Sequence, residues 1–194
     1  FLLFAAHDTT TSTLTHMMYY LARYPEWQQR IREEGRAVSA SGALGYDDLP
    51  ALPLLEAAFF ESQRLHPSVG VMARRTIRDC KLGDVDVLAN TLVFQFPMFT
   101  NRMQEFWQDP DSFDPDRFLP PRQEQKGHPF AFMPFGGGAH KCIGMHFGNM
   151  QARLFSHQFL QRYEISLPPG HQASFQTVPL PKLRDDLPLR LRRL

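Results

Sequence analysis

Phe135-Gly136-Gly137-Gly138-Ala139-His140-Lys141-Cys142-Ile143-Gly144 puts bare backbone, one thiol and the approach to a helix into a single short run. Its three successive glycines leave a loop wall without side chains, which a flat ligand or another stretch of backbone can approach closely. From Ile143 the apolar residues Ile143, Phe147, Met150 and Leu154 recur at the spacing of an amphipathic helix, predicted from Ile143 to about Tyr163. Cys142 therefore stands where loop passes into helix. The free amides of a first helical turn, and the positive end of the helix dipole, favour thiolate over thiol at such a place.

A thiolate held in this way suits three chemistries. A nucleophile needs a histidine base oriented by a third group, which linear sequence does not display. Zinc needs converging donors. His140, Cys142 and His146 offer three, the last two about one helical turn apart, with no CxxC and no second cysteine nearby. An axial bond to haem iron accounts in addition for the glycines, because a planar macrocycle needs a wall free of side chains beside the sulfur.

The run resembles the haem-binding loop of the cytochrome P-450 monooxygenases. Their pattern F-G-x-G-x-R/H-x-C-x-G is filled at each fixed position by Phe135, Gly136, Gly138, His140, Cys142 and Gly144. The resemblance implies haem b as cofactor, Cys142 as its proximal thiolate and metal ligand, and His140 as a hydrogen-bond donor to a propionate. Phe135, Gly136, Gly138 and Gly144 would shape the wall of that site.

Three further stretches resemble the family and follow its order. Ala5-Ala6-His7-Asp8-Thr9-Thr10 matches A/G-G-x-D/E-T-T/S, with Ala6 where glycine is usual. By resemblance Asp8 and Thr9 are the catalytic acid and alcohol that deliver protons during dioxygen activation, and Ala5 and Ala6 border the distal side of the cofactor. Taken alone, these residues read as a solvated face, or as Thr hydroxyls bonded to carbonyls one turn back. Glu61-Ser62-Gln63-Arg64 has the E-x-x-R form and is followed by Leu65-His66-Pro67. Glu61 falls on the apolar stripe of Leu54, Ala58 and Leu65, where a buried acid needs a partner, and Arg64 three residues on supplies one; an exposed pair is the plainer reading. Asp114-Pro115-Asp116-Arg117-Phe118 resembles the P-E/D-R-F element, which implies that Arg117 joins Glu61 and Arg64 in a structural charge cluster.

After L-x-P the family lines its substrate pocket, which implies that role for Val69, Gly70, Val71, Met72 and Ala73. An arginine of the following strand usually binds a propionate; Arg74 has the better register and Arg75 stands beside it. The FAAHDTT and GAHKC stretches resemble bacterial sterol-demethylase-like members.

The implied fold is mainly α with small antiparallel β-sheets, residues 1–194 forming the C-terminal part of one catalytic domain. The N-terminal portion is expected upstream, since the chain opens on Phe1-Leu2-Leu3-Phe4-Ala5-Ala6 without initiator Met, N-cap or polar lead-in. The implied activity is monooxygenation of a small apolar organic substrate by dioxygen, with electrons from NAD(P)H through a redox partner protein, a reductase or a ferredoxin. A peroxide-dependent peroxygenase is one alternative. A non-catalytic fragment or haem-binding module is another. Location stays open: cytoplasmic for a bacterial member, with an upstream membrane anchor in an anchored one.

Composition agrees with a globular unit. The 194 residues are 43% hydrophobic, enough for a core, and a net charge of +1 gives no reason to expect a nucleic-acid partner. Two cysteines allow at most one disulfide; Cys80, in an alternating strand-like stretch, reads as a packing residue. No apolar run approaches the ~20 residues of a membrane span.

Along the chain, residues 1–24 read as one helix, with Pro25 either ending it or beginning the next, and 26 to about 38 as a charged amphipathic helix at the surface with Trp27, Arg30, Ile31 and Glu34. Ser39 to Gly45 reads as a loop, and Pro53 to Leu65 as a helix opened by proline. Short antiparallel strands are expected at Val85–Val87 and Leu92–Phe96, with turns at Gly83-Asp84 and Ala89-Asn90. Asn101 to Pro121 reads as irregular, and the tail from Pro168 as turns plus a terminal β element whose tip, 176–183, approaches the pocket. Expressed alone, these 194 residues are expected to bind haem weakly or not at all, and tight stoichiometric uptake in a haem titration would refute this.

Overall fold

The main core lies between four helices of the computed structural model, which describes residues 2–39, 43–177 and 180–194. Phe1, the middle of the predicted 39–45 loop and positions 178–179 of the predicted tip lie outside the described residues. Helix α1 spans Leu2–Arg23, α2 Pro25–Val38, α3 Pro53–Leu65, α4 Pro97–Thr100 and α5 Met145–Arg162. Proline opens α2, α3 and α4, where its missing N–H would have had no intrahelical partner. Met17 and Leu21 of α1, Ile31 of α2, Leu55 of α3 and Leu160 of α5 meet in the core, each at most 1% exposed. Burying one such side chain contributes roughly 1.5–3 kcal/mol.

The expected surface helix α2 has a substantial inner face, formed by Trp27, Gln28, Ile31, Arg32 and Gly35. At Gly35 a Cβ would come within 2.5 Å of the His157 ring, so glycine lets α2 approach α5. Gln28 donates to the carbonyls of Leu21 and Ile165 and accepts from the Ile165 amide, which joins α1, α2 and the strand after α5. Glu34 accepts from the amides of Leu54 and Leu55 at 2.7 and 3.0 Å, satisfying the opening turn of α3.

Helix α5 differs from expectation in its start and in its buried face. It begins at Met145, after a 3-10 turn at Gly138–His140, so Cys142 precedes the helix by three residues. Ile143 and Phe147 of the predicted stripe are 91% and 63% exposed, while Ala152, Ser156, His157 and Leu160 are buried. Met150 and Leu154 of the same stripe pack against the main core, so the stripe is covered along its C-terminal half and uncovered at its start.

The strands form separate two-stranded antiparallel ladders. Strand β1 (Met72–Arg75) pairs with β4 (Leu92–Gln95), and β2 (Cys80–Leu82) with β3 (Val85–Val87). After α5, β5 (Tyr163–Ser166) pairs with β8 (Arg190–Arg193), and β6 (Phe175–Gln176) with β7 (Lys182–Leu183). The predicted turns contain Gly83 at φ +58° and Asn90 at φ +64°, and Cys80 is half-buried. Strand β4 stops one residue before the predicted end because Pro97 begins α4. The irregular segment 101–121 has its own small core, where Trp107 and Phe118 pack with Ala57 and Ala131.

An aromatic stack ties α1 to the end of α3 and to β6. The His16 and His66 rings lie 4.6 Å apart, and the His66 and Phe175 rings 4.1 Å. His16 donates through Nδ1 to the Ser12 carbonyl, and the Ser12 hydroxyl donates to the Pro181 carbonyl. Burial lowers the pKa of both imidazoles; His66 is pushed down to about 2, with His16 and Arg102 adding to the effect of burial. Both rings are therefore neutral in the fold, whereas the unfolded chain takes up protons below about 6.5. Their contribution is complete above that pH and is lost as pH falls, by up to about 1.4 kcal/mol per pH unit for each histidine. Urea unfolding between pH 7 and pH 4 should show this slope, and His66→Phe should make it shallower; an equal slope in that variant would contradict the assignment.

Candidate functional site

Glu61, Arg64 and Arg117 have no exposed side-chain surface. Arg64 grips Glu61 with two bonds, Nε to Oε2 at 2.7 Å and Nη2 to Oε1 at 2.9 Å. Arg117 adds Nε to Oε1 at 3.0 Å, and the amide of Asp114 donates to the same oxygen at 2.9 Å. Further guanidinium protons reach backbone: Arg64 Nη1 donates to the carbonyls of Asn101 and Pro110, and Arg117 Nη1 donates to that of Gln108 as well as to a second carboxylate. Thus α3 is joined to the irregular segment that leads into the cysteine loop.

Sequence reasoning missed Glu124. Its Oε2 accepts from Arg117 Nη1 at 2.7 Å, and its Oε1 is 2.5 Å from Arg122, which also pairs with Asp114. The signal was present: two buried guanidiniums against one carboxylate call for a second anion. In Glu124-Gln125-Lys126 the acid reads instead as part of a solvated turn. Arg30 of α2 also pairs with Asp116, at 2.8 Å.

The cysteine loop hangs from this frame. Gly136 donates to the Met133 carbonyl at 3.1 Å, Lys141 to that of Gly138 at 3.2 Å and Cys142 to that of Phe135 at 2.9 Å. The last bond closes the loop on itself and leaves Cys142 exposed, with the apolar Ile143 and Phe147 exposed beside it. A Cβ on Gly144 would lie 3.9 Å from the Cys142 sulfur, so the bare backbone keeps the approach to that atom open. His140 is exposed in the 3-10 turn. Among the described residues no group of three or more His, Cys, Asp or Glu side chains is arranged to hold a metal, so the zinc alternative lacks its donor set. A thiol on bare backbone, flanked by uncovered apolar side chains, fits the face of a flat apolar ring system with a metal at its centre.

A cavity of about 1010 Å³ adjoins the loop, between Tyr46, Phe60, Phe132, Lys141, His146 and Arg153. Its wall includes Gly136 to Gly138 and leaves out Cys142, Ile143 and Phe147, so it opens behind the loop.

The acid and alcohol lie on α1. Thr9 donates to the Ala5 carbonyl at 2.6 Å, the local bond that the residues alone suggest, and Asp8 Oδ1 lies 2.7 Å from His7 Nδ1. Ala5 and Ala6 are exposed on the same helix. No hydrogen bond links Asp8 or Thr9 to the cysteine loop among the described residues. Ser68 donates to the Thr9 carbonyl at 3.0 Å and so ties this turn of α1 to the segment after α3.

That segment divides by alternation. Val69, Val71 and Ala73 are exposed, while Gly70 is buried near Met98 and Pro181 and Met72 is half-buried. The predicted pocket set therefore falls on two faces, because successive residues of extended chain point to opposite sides. Of the adjacent arginines, Arg75 is tied to the carbonyl and side chain of Asn90. Arg74 is exposed and bonds to the neighbouring Ala73 carbonyl.

The family model described as Cytochrome P450 matches residues 1–183. The chain belongs to the cytochrome P450 family. It is 42% identical over 193 residues to cytochrome P450 136 of Mycobacterium tuberculosis, covering 99% of this chain and 39% of that protein. It is 36% identical over 167 residues to cytochrome P450 4F4 of Rattus norvegicus, covering 84% of this chain and 32% of that protein. A solved structure of retinoic acid-bound cyanobacterial CYP120A1 superposes with TM-score 0.94 at 32% identity, covering all of this chain and 44% of that one. The chain thus spans about two fifths of the length of these bacterial relatives, with a partial P450 fold.

In this P450 chain Glu61→Gln leaves two buried guanidiniums against Glu124 alone, and should lower the unfolding free energy by roughly 3–5 kcal/mol. Arg122→Ala, at a partly exposed pair, should cost no more than about 1 kcal/mol. Urea denaturation of both variants checks the contrast, and equal midpoints would refute it.

Proposed function

We propose that the protein is a haem-thiolate monooxygenase acting on an apolar organic substrate, with electrons supplied by a redox partner protein. One observation carries this reading: the single exposed thiol of Cys142, set on bare glycine backbone beside uncovered Ile143 and Phe147. Cys142 would bind the iron, and Arg74 and His140 would hold the propionates. Arg74 is the better candidate of the two arginines, since Asn90 occupies Arg75. Bound there, haem supplies the activation of dioxygen, which electron donation from a thiolate favours.

The chain's own residues would then manage protons and access. The Thr9 hydroxyl spends its proton on the Ala5 carbonyl, so towards a ligand it acts first as a hydrogen-bond acceptor and donates only after releasing that bond. Asp8 is the neighbouring carboxylate that would take a proton from solvent and pass it on towards Thr9. The methyl of Ala6 narrows the space beside them. Exposed Val69, Val71 and Ala73 offer an apolar wall, and the ligand named for the cyanobacterial relative, retinoic acid, supports an extended apolar substrate. The recess behind the loop, with Lys141 and His146 on its wall, is a surface that a redox partner can reach without crossing the substrate side.

The test is the reduced carbon monoxide spectrum of the full-length protein, followed by turnover with a reductase system or with peroxide. A strongly red-shifted Soret band and reductase-dependent oxygenation are expected. A histidine-type band would end the haem-thiolate reading, and turnover with peroxide alone would make the enzyme a peroxygenase.

A further inference from the structure

Thr9 and Thr13 stand one turn apart on α1, and both hydroxyls turn back on the helix. Thr9 donates to the Ala5 carbonyl at 2.6 Å, and Thr13 to the Thr9 carbonyl at 2.9 Å. Back-bonding of this kind slightly loosens a helical turn. A third hydroxyl comes from outside the helix. Ser68 donates to the same Thr9 carbonyl at 3.0 Å, and its oxygen lies 2.5 Å from that of Thr13. A carbonyl has two lone pairs, and the ladder of α1 engages one of them at Thr9. The other takes one hydroxyl proton, and the second hydroxyl donates to the first. In either order the Thr9 carbonyl, Thr13 and Ser68 form one closed triangle. Thr13 is buried and Ser68 half-buried, so water competes poorly for these bonds.

Ser68 reaches α1 from a fixed origin. Asn101 donates to the Arg64 carbonyl at 3.0 Å and Arg102 to that of Leu65 at 2.6 Å, while the His66 amide closes α3 on the Ser62 carbonyl. Buried Pro67 restricts the one step that remains. The Glu61 cluster is thus joined, through the end of α3, to the turn of α1 that carries Thr9. The Ser68 bonds end on the Thr9 carbonyl and on Thr13, not on the Thr9 hydroxyl, so they orient Thr9 and pass no proton to it.

We propose that Ser68 is a positioning residue for the alcohol of α1: by holding the Thr9 carbonyl it fixes the rotation of that turn, and with it the direction of the Thr9 hydroxyl. This rests on the reading of Thr9 as the alcohol that faces a ligand of haem held by Cys142.

The test uses the full-length haem protein and the variants Ser68→Ala, Ser68→Thr, Thr9→Ala and the double variant Ser68→Ala/Thr9→Ala. Carbon monoxide on the reduced protein is the probe, because its infrared stretch responds to the field of polar groups beside it. Amide hydrogen exchange of α1 is followed in parallel by mass spectrometry. Ser68→Ala removes one oxygen from a half-buried side chain, and its far-UV circular dichroism should match the parent's. Exchange around Thr9 and Thr13 should quicken about fivefold, as for the loss of one neutral hydrogen bond, and the infrared band should shift. Ser68→Thr keeps the hydroxyl and should hold both readings at the parent's values. In the Thr9→Ala background Ser68→Ala should leave the band where Thr9→Ala alone puts it.

A parent-like band in Ser68→Ala beside a shifted band in Thr9→Ala overturns the proposal alone, as does unchanged exchange in Ser68→Ala. So does a Ser68→Thr variant that behaves like the alanine one, or a Ser68→Ala shift that survives in full without Thr9. A parent-like band in Thr9→Ala overturns the role read for Thr9, and a parent protein without the red-shifted Soret band overturns the haem-thiolate reading; the proposal falls with either.

Discussion

Glu61 is a carboxylate with no exposed surface held between two guanidiniums that have none either. Such a group survives burial only if its oxygens are filled, and four donors fill them: two from Arg64, one from Arg117 and one from the Asp114 amide. The arginines in turn direct other protons to carbonyls of 101–112, a segment with little regular structure to satisfy its own backbone, and one of Arg117 to Glu124. Charge in the interior thus does for this segment what a sheet ladder does elsewhere. The chain emerges from it at a defined place and enters the cysteine loop from a rigid origin.

The loop itself depends on an absence of side chains. Gly136 and Gly138 take positive φ, at +70° and +67°. Gly144 leaves the sulfur uncrowded, and the Cys142 amide returns to the Phe135 carbonyl. This backbone carries few side chains of its own, so its position is borrowed from neighbours: the charge cluster upstream and α5 downstream. On α1 a similar economy holds. The Thr9 hydroxyl is committed to its own helix, which fixes where its lone pairs point before any ligand arrives.

Much of this was legible in the linear chain, and for local reasons. Proline at the first turns of α2 and α3, the glycine run, and the spacing of Glu61 to Arg64 each act within a few residues, so reading them needs no partner. The boundaries of α1 and α3 and the hairpin turn at Gly83 follow from the same short-range chemistry. Less legible were features that depend on a distant surface. The apolar residues Trp27 and Ile31 of α2 are visible in the sequence as an amphipathic face, whereas the burial of Arg32 is not; in the fold its Nε donates to the Leu160 carbonyl. The Ile143-Phe147 stripe has the right period for a buried face, yet Ala152 and Ser156 take that place.

What the sequence determined alone was the family and the order of its motifs, because each is a matter of residue type at fixed short spacing. Tertiary structure decided which arginine is tied to Asn90 and that Glu124 completes the charge balance. The physical reason is common to both. Each depends on the direction in which a side chain meets a group outside its own helix or strand, and packing settles that direction only when the core closes.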